Sequence, residues 1–216
     1  MSRETIRKIF LYGAGGHAKV ILELLELNGQ HCAGIYDEHG ASTDLFGYPI
    51  SGSLNGEYKE ANSAMIIAVG NNLVRKKLAG KLSAKWATII HPSANISSRS
   101  TIGSGTVVMA GVSINSGVKA GDHVIINTNC SVDHDCVLAD YVHISPNVAL
   151  AGNVQVGEGT HVGIGTAVIQ GIKIGKWATI GAGSVIIRDV PDYAVVVGNP
   201  GRILRMNEPD GAPEDK

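Results

Sequence analysis

From residue 96 onward the chain has one dominant rhythm. Stepping by six from Ile96 through Ile102, Val108 and Ile114 to Ile180 and Ile186 meets sixteen positions, and fifteen are Ile, Val or Leu; Ala120 is the exception. Such a run would arise by chance far less often than about one time in a million. Four places after each of these lies a second class of small or β-branched residue, among them Thr106, Val112, Cys130, Cys136, Thr160 and Ala178. The place just after each aliphatic is often Gly, Asn, Asp or Ala, as at Gly103, Asn127, Asp133 and Gly175; those residue types tolerate tight-turn backbone angles. A hexad of this kind predicts a short strand and a turn that cannot bury its own apolar residue. Three hexads close one triangular coil, and stacked coils bury the aliphatics in a column. Sixteen hexads predict about five coils. An ordinary β-sandwich would not keep an unbroken six-residue phase over ninety residues.

The first ninety residues follow a different pattern. Residues 7–12 predict a buried strand, followed by the glycine run Gly13-Ala14-Gly15-Gly16 and a helical pattern to about Leu27. Further strands are predicted at 33–36, 64–69 and 87–90, with a helix carrying Arg75, Lys76 and Lys77 between the last two. Alternating strands and helices imply a small parallel sheet, and the loops at the carboxyl ends of its strands are where nucleotides bind. The predicted organisation is a Rossmann-like α/β domain over 1–90, a parallel β-helix over 91–205 and a disordered polar tail over 206–216.

The glycine run fits the dinucleotide fingerprint, with Asp37 near the distance of a ribose ligand. Ninety residues give room for one mononucleotide half only. A nucleotide-sugar diphosphate at the helix start is therefore the better expectation, with a ligand-free tight turn as the alternative.

Composition narrows the classes. With 18 Lys+Arg against 19 Asp+Glu, the chain has no electrostatic footprint for nucleic acid or an anionic membrane. No span or leader is apparent at the N-terminus, which predicts a soluble, cytoplasmic protein. Three cysteines in no ligand-like spacing argue against disulfides and a zinc site, so no metal is expected. Many glycines (28) with only two Phe suit a narrow repetitive β-structure.

The sharpest polar cluster is Asn127 through Cys136. His134 follows the inward Val132 by two places and so falls at an outward corner. There a histidine can act as a general base near neutral pH, with Asp135 to hold its tautomer and raise its basicity. A solvated surface histidine is the bland reading of the same residue. Cys130 and Cys136 share the small inward register, which disfavours a thiol nucleophile.

The repeat resembles the hexapeptide-repeat acyltransferases, which are left-handed parallel β-helices and act as trimers. A narrower resemblance covers nearly the whole chain. Tyr12 to His17, Tyr36-Asp37-Glu38, Ala68 to Asn72, Asn127 to Cys136 and Gly198-Asn199-Pro200 are similar to the bacterial sugar acetyltransferases of the bacillosamine, perosamine and sialic acid types. That resemblance implies transfer of an acetyl group from acetyl-CoA to the amine of a nucleotide-linked amino sugar. The first candidate is UDP-4-amino-4,6-dideoxy-N-acetylglucosamine, giving UDP-diacetylbacillosamine; the alternatives are a GDP- or dTDP-amino sugar, or O-acetylation of the sialic acid type. A non-enzymatic scaffold is the third class considered.

The resemblance also implies roles. His134 would be the base, Asp135 its orienter (Glu in relatives) and Asn127 a positioning group. Gly15, Gly16, His17, Asp37, Glu38 and Gly70 would hold the nucleotide sugar. His143 would lie beside the acetyl group, while Ile164 and Ala182 (Gly in relatives) would contact coenzyme A. Ile164 and Ala182 are eighteen residues apart, so the period itself stacks them on one edge, along which a pantetheine arm could run. A homotrimer with active sites between subunits is the implied assembly.

Overall fold

A computed structural model describes residues 8–38, 43–54 and 56–208. The predicted polar tail lies mostly outside these residues. The N-terminal sheet has strands β1 (Lys8–Tyr12), β2 (Cys32–Tyr36), β3 (Asp44–Leu45), β4 (Tyr48–Ser51) and β5 (Ser63–Ile67), in the order β3-β4-β2-β1-β5. All pairings are parallel except the β3–β4 hairpin. Every residue of β5 is buried, as expected of a parallel strand covered on both faces. Helix α1 (Gly16–Leu27) buries Ala18, Ile21, Leu22 and Leu25, the i, i+3, i+4, i+7 stripe of a helix lying on a sheet. Helix α2 (Asn72–Lys81) starts at Asn71, whose side chain accepts from Val74 N.

The rest of the fold is the β-helix. Two-residue strands stack parallel at a step of eighteen residues on three faces. The first face runs from Ile89–Ile90 through Val107–Val108, Ile125–Ile126, His143–Ile144 and His161–Val162 to Thr179–Ile180. It ends in the antiparallel pair Ala194–Val197 and Arg202–Met206, which closes the last coil. The second face holds Asn95–Ile96 to Val185–Ile186, six strands, and the third Thr101–Ile102 to Lys173–Ile174, five, in agreement with about five coils.

Both inward registers read from the period are buried from Thr106 onward, while Ile96, Ser100 and Ile102 of the first coil are half-buried. Ile126, Ile144 and Val162 are fully enclosed, as are Val112, Cys136 and Val154. Interior hydroxyls are satisfied by carbonyls of the next coil: Thr106 Oγ1 donates to Gly121 O at 2.9 Å and Thr160 Oγ1 to Gly175 O at 2.6 Å.

Two expectations need correcting. The left-handed residues are not those just after each aliphatic but those three places on: Gly105, His123, Asn129, Asp135, Tyr141 and Trp177 among them. At Gly103, Gly157 and Gly175 the constraint is close stacking instead. A Cβ there would meet backbone or side-chain atoms of the next coil at 2.3–2.5 Å. Second, the strand predicted at 87–90 belongs to the β-helix. Ile89–Ile90 pairs with Val107–Val108, and the α/β sheet ends in a single bridge from Met65 to Trp86.

The α/β module docks on the first face. The outward residues Ile89, Val107 and Ile125 share one apolar cluster with Leu11, Leu25 and Ile66. Burying each such side chain contributes about 1.5–3 kcal/mol. The outward column then turns polar at His143 and His161.

Candidate active site

His134 occupies the corner between the second and third faces, in the turn from Ser131–Val132 to Val137–Leu138. It is exposed, and its Nδ1 is 2.9 Å from Asp135 Oδ2. That hydrogen bond, ahead of the charges of Asp133 and Asp135, raises the imidazole above its usual 6.5. The turn is built by short side chains. Asp133 Oδ1 accepts from His134 N and from Asn115 Nδ2, each at 2.7 Å, while Asp135 takes the left-handed backbone at φ 60°. With Nδ1 held by the carboxylate, Nε2 is the nitrogen left for a substrate proton. An open cleft of about 410 Å³ lies beside it, lined by Asn95, Ser97, Asn115, Ser116 and Asp133.

Two glycines give the pair room, and sequence reasoning missed both. A Cβ on Gly152, one coil above, would stand 2.5 Å from His134 Nε2; one on Gly117, one coil below, would stand 2.5 Å from Asp135 Oδ1. Their signal is present in the sequence only when it is read at steps of eighteen.

The α/β module gathers the expected nucleotide-sugar residues at the carboxyl ends of β1, β2 and β5. Gly13 has φ 111°, and a Cβ there would meet Ala68 O at 2.9 Å, so glycine is required. Gly15, Gly16 and Gly70 instead have open space where a Cβ would stand, so a ligand could approach their backbone. Asp37 Oδ2 accepts from Ala14 N at 2.8 Å and thereby shapes the turn. Glu38 pairs with Lys81 at 3.8 Å and hydrogen-bonds Tyr12, whose phenol is pushed up to about 12 by burial first and by Glu38 second. His17, near the start of α1, has a buried Nε2 without a partner, and burial, aided by the charge of Arg75, holds it at about 4.

His143 joins the two modules. Asn127 Oδ1 accepts from Thr128 N at 2.8 Å, so its Nδ2 is a donor, directed at His143 Nε2 at 3.3 Å. The Gly70 backbone hydrogen-bonds the same imidazole, and burial, then His161, Arg75 and His17, hold it well below 6.5. The His143 and His161 rings stack at 4.9 Å, and His161 Nε2 meets Ser145 Oγ at 2.8 Å. His143 is thus neutral, with Nε2 as acceptor.

Ile164 and Ala182 are exposed at the edge between the first and second faces. Gly183 N donates to Ile164 O at 2.8 Å, so the two lie on successive coils as the period required. Asn127 turns at the same edge. Within one chain, then, Asn127, His143, His17 and Gly70 form one group, Ile164 and Ala182 extend its edge, and His134 with Asp135 stands on another corner. All three cysteines are free and buried; burial pushes the Cys130 thiol up to about 11. Among the described residues no cluster of His, Cys, Asp and Glu could hold a metal, and no helix is long and apolar enough to cross a membrane.

Comparison with known proteins agrees with this architecture. Residues 8–82 match the PglD N-terminal domain model. The chain is 40% identical over 113 residues to the UDP-N-acetylbacillosamine N-acetyltransferase of Bacillus subtilis (strain 168); the match takes in 49% of this chain and spans about half, 52%, of that relative. The acetyltransferase domain of PglB from Neisseria gonorrhoeae FA1090, solved also with acetyl coenzyme A, is 38% identical, with a TM-score of 0.83 over 92% of this chain and 100% of that one. A variant of the perosamine N-acetyltransferase of Caulobacter crescentus, solved with CoA and GDP-perosamine, is 38% identical, with a TM-score of 0.87 over 92% and 97%. By its left-handed parallel β-helix, its α/β module and these matches along nearly its whole length, the chain belongs to the hexapeptide-repeat sugar acetyltransferases, the family of the bacillosamine and perosamine N-acetyltransferases.

Proposed function

We propose that this protein transfers the acetyl group of acetyl-CoA to the amine of a nucleotide-linked amino sugar, with His134 as general base. The first candidate acceptor is UDP-4-amino-4,6-dideoxy-N-acetylglucosamine, which would give UDP-diacetylbacillosamine. The observation that carries the reading is the His134–Asp135 pair, held at a coil corner with Nε2 free, in a chain whose relatives at 38% identity are solved with CoA. The amine lone pair attacks the thioester carbonyl while Nε2 takes the amine proton. The tetrahedral intermediate then expels the CoA thiolate, which the imidazolium reprotonates, leaving an amide and free CoA. No acyl-enzyme is needed, in keeping with the enclosed cysteines.

The nucleotide would lie over the turn Gly15-Gly16-His17 and at Gly70, with Asp37 and Glu38 at the ribose or base. The pantetheine would run along Ile164 and Ala182, with His143 and Asn127 near the acetyl group. Since His134 stands on a different corner from that edge, a complete site takes His134 from one subunit and the Ile164 edge from a neighbour. A homotrimer meets this need. The exposed closing strand, with Ile203, Leu204 and Met206 at 54%, 66% and 53% accessibility, supports self-association.

The decisive experiment is mass spectrometry of products from UDP-, dTDP- and GDP-linked amino sugars incubated with acetyl-CoA. A single amide product is expected on one of them. An ester on a hydroxyl acceptor would transfer the reading to O-acetylation, and absence of any acetylated product would overturn it.

A further inference from the structure

Arg75 is the largest fully buried side chain of the protein among the described residues, and its relative exposure is 1%. All five of its N–H donors are used. Nε donates to His123 O at 2.8 Å, Nη1 to Val69 O and Gly70 O at 3.1 Å each, and Nη2 to Asn72 Oδ1 at 2.9 Å and Tyr141 O at 2.8 Å. Two of these acceptors belong to the turn between β5 and α2, one to the first residue of α2, and two to adjacent coils of the β-helix. Asn72 adds a further tie, from Nδ2 to Gly159 O at 3.0 Å. None of the five acceptors is a carboxylate. A buried cation held only by neutral dipoles is costly, and a purely structural clamp could use neutral groups.

We propose that Arg75 is a positioning residue of the nucleotide-sugar site: it fixes the 69–72 turn to the coil and sets an uncompensated positive charge behind the turn where the acceptor's diphosphate lies. The inference rests on the reading that a nucleoside diphosphate occupies the Gly15–His17 and Gly70 turns. Two features support it. The Gly70 backbone is shared between Arg75 and His143, so the guanidinium registers the nucleotide turn against the Asn127–His143 pair. The charge of Arg75 also reaches His17 and His143, both of which it helps hold neutral. A field felt at His17 is felt at the start of α1, where exposed amides already favour an anion. A lysine would keep the charge but could not span five acceptors in two modules.

The test compares the full-length wild type with Arg75→Met and Arg75→Lys by calorimetric titration of UDP and of uridine, or of GDP and guanosine if UDP does not bind. In Arg75→Met the diphosphate is expected to bind at least tenfold more weakly, while the uncharged nucleoside changes by less than threefold. Arg75→Lys should weaken the diphosphate about threefold or more. With turnover as the readout, the acceptor KM rises in both variants while the KM for acetyl-CoA stays within about twofold. An equal loss for diphosphate and nucleoside would reduce Arg75 to a structural clamp and overturn the proposal, as would unchanged diphosphate binding. If Arg75→Met does not fold, the same ratio in Arg75→Lys decides. Failure of the wild type to bind any nucleoside diphosphate would overturn the underlying reading as well, whereas wild-type binding that the variants leave untouched overturns only the role of Arg75.

Discussion

Gly152 stands one coil above His134, and replacing it with alanine separates the position of the base from the stability of the fold. The new Cβ would stand 2.5 Å from His134 Nε2 and 2.6 Å from Cε1. Ordinary carbon contacts begin at about 3.5 Å, so the ring must retreat by about 1 Å. The ring is an exposed side chain at a corner, so this retreat is cheap. Gly152 has no left-handed backbone requirement, so alanine also restricts the unfolded chain and stabilises by about 0.4–1 kcal/mol. The displaced ring loses its 2.9 Å bond to Asp135 and its aim at the substrate amine. A misplacement of about 1 Å costs on the order of 10²-fold in rate. The assay is kcat and kcat/KM with the acceptor found by the product panel, read beside the thermal midpoint. Gly152→Ala should lose about 10²-fold in kcat with an unchanged or slightly raised midpoint. In a His134→Ala background the same substitution should cost almost nothing further, because both changes act on one group. Full activity in Gly152→Ala, or an equal loss in both backgrounds, would refute the placement of the base.

Asp135→Asn keeps a residue that accepts φ 60° but removes the carboxylate that raises His134. The acidic limb of the kcat/KM profile should shift to lower pH, with turnover down on the order of tenfold; an unmoved limb would detach Asp135 from the base. His17 titrates near 6.5 when unfolded and at about 4 when folded. Its contribution is complete above pH 6.5 and is lost as pH falls toward 4, up to about 3 kcal/mol. Urea unfolding at pH 7 and pH 5 should therefore show a shallower pH dependence for His17→Gln than for wild type, and equal slopes would contradict the buried neutral imidazole. Replacing Cys130 and Cys136 together with alanine should cost about 1–2 kcal/mol in stability and leave kcat within about threefold at a permissive temperature; a loss of more than about 10³-fold would point to a covalent thiol route.

The β-helix was legible because one short-range rule repeats. A hexad cannot bury its aliphatic alone, so the spacing of Ile126, Val132 and Leu138 already states that three faces close around them and that Cys130 and Cys136 face inward. The exposure of His134 follows from the same count. The turn conformations were misassigned because two constraints give the same residue types. Glycines such as Gly103 and Gly175 answer to coils stacked in close contact, and only the residues three places after each aliphatic answer to a left-handed backbone. The docking face was readable but unread. Ile89, Val107 and Ile125 are apolar at the outward position, where the other faces carry residues such as Ser113, Ser131 and Lys119.

What the sequence determined alone is thus local and periodic: the strands and coil phase, the glycine turn ahead of α1, the inward cysteines and the outward His134. What only the tertiary structure decided is which distant residues meet. Arg75 reaches His123 and Tyr141, Gly70 and Asn127 both meet His143, and Gly152 clears His134. The reason is physical. Periodicity fixes a residue's direction from its own neighbours, whereas these contacts arise when the α/β module buries its apolar face on the coil and when one coil stacks on the next, and neither event leaves a signal between adjacent residues of the chain.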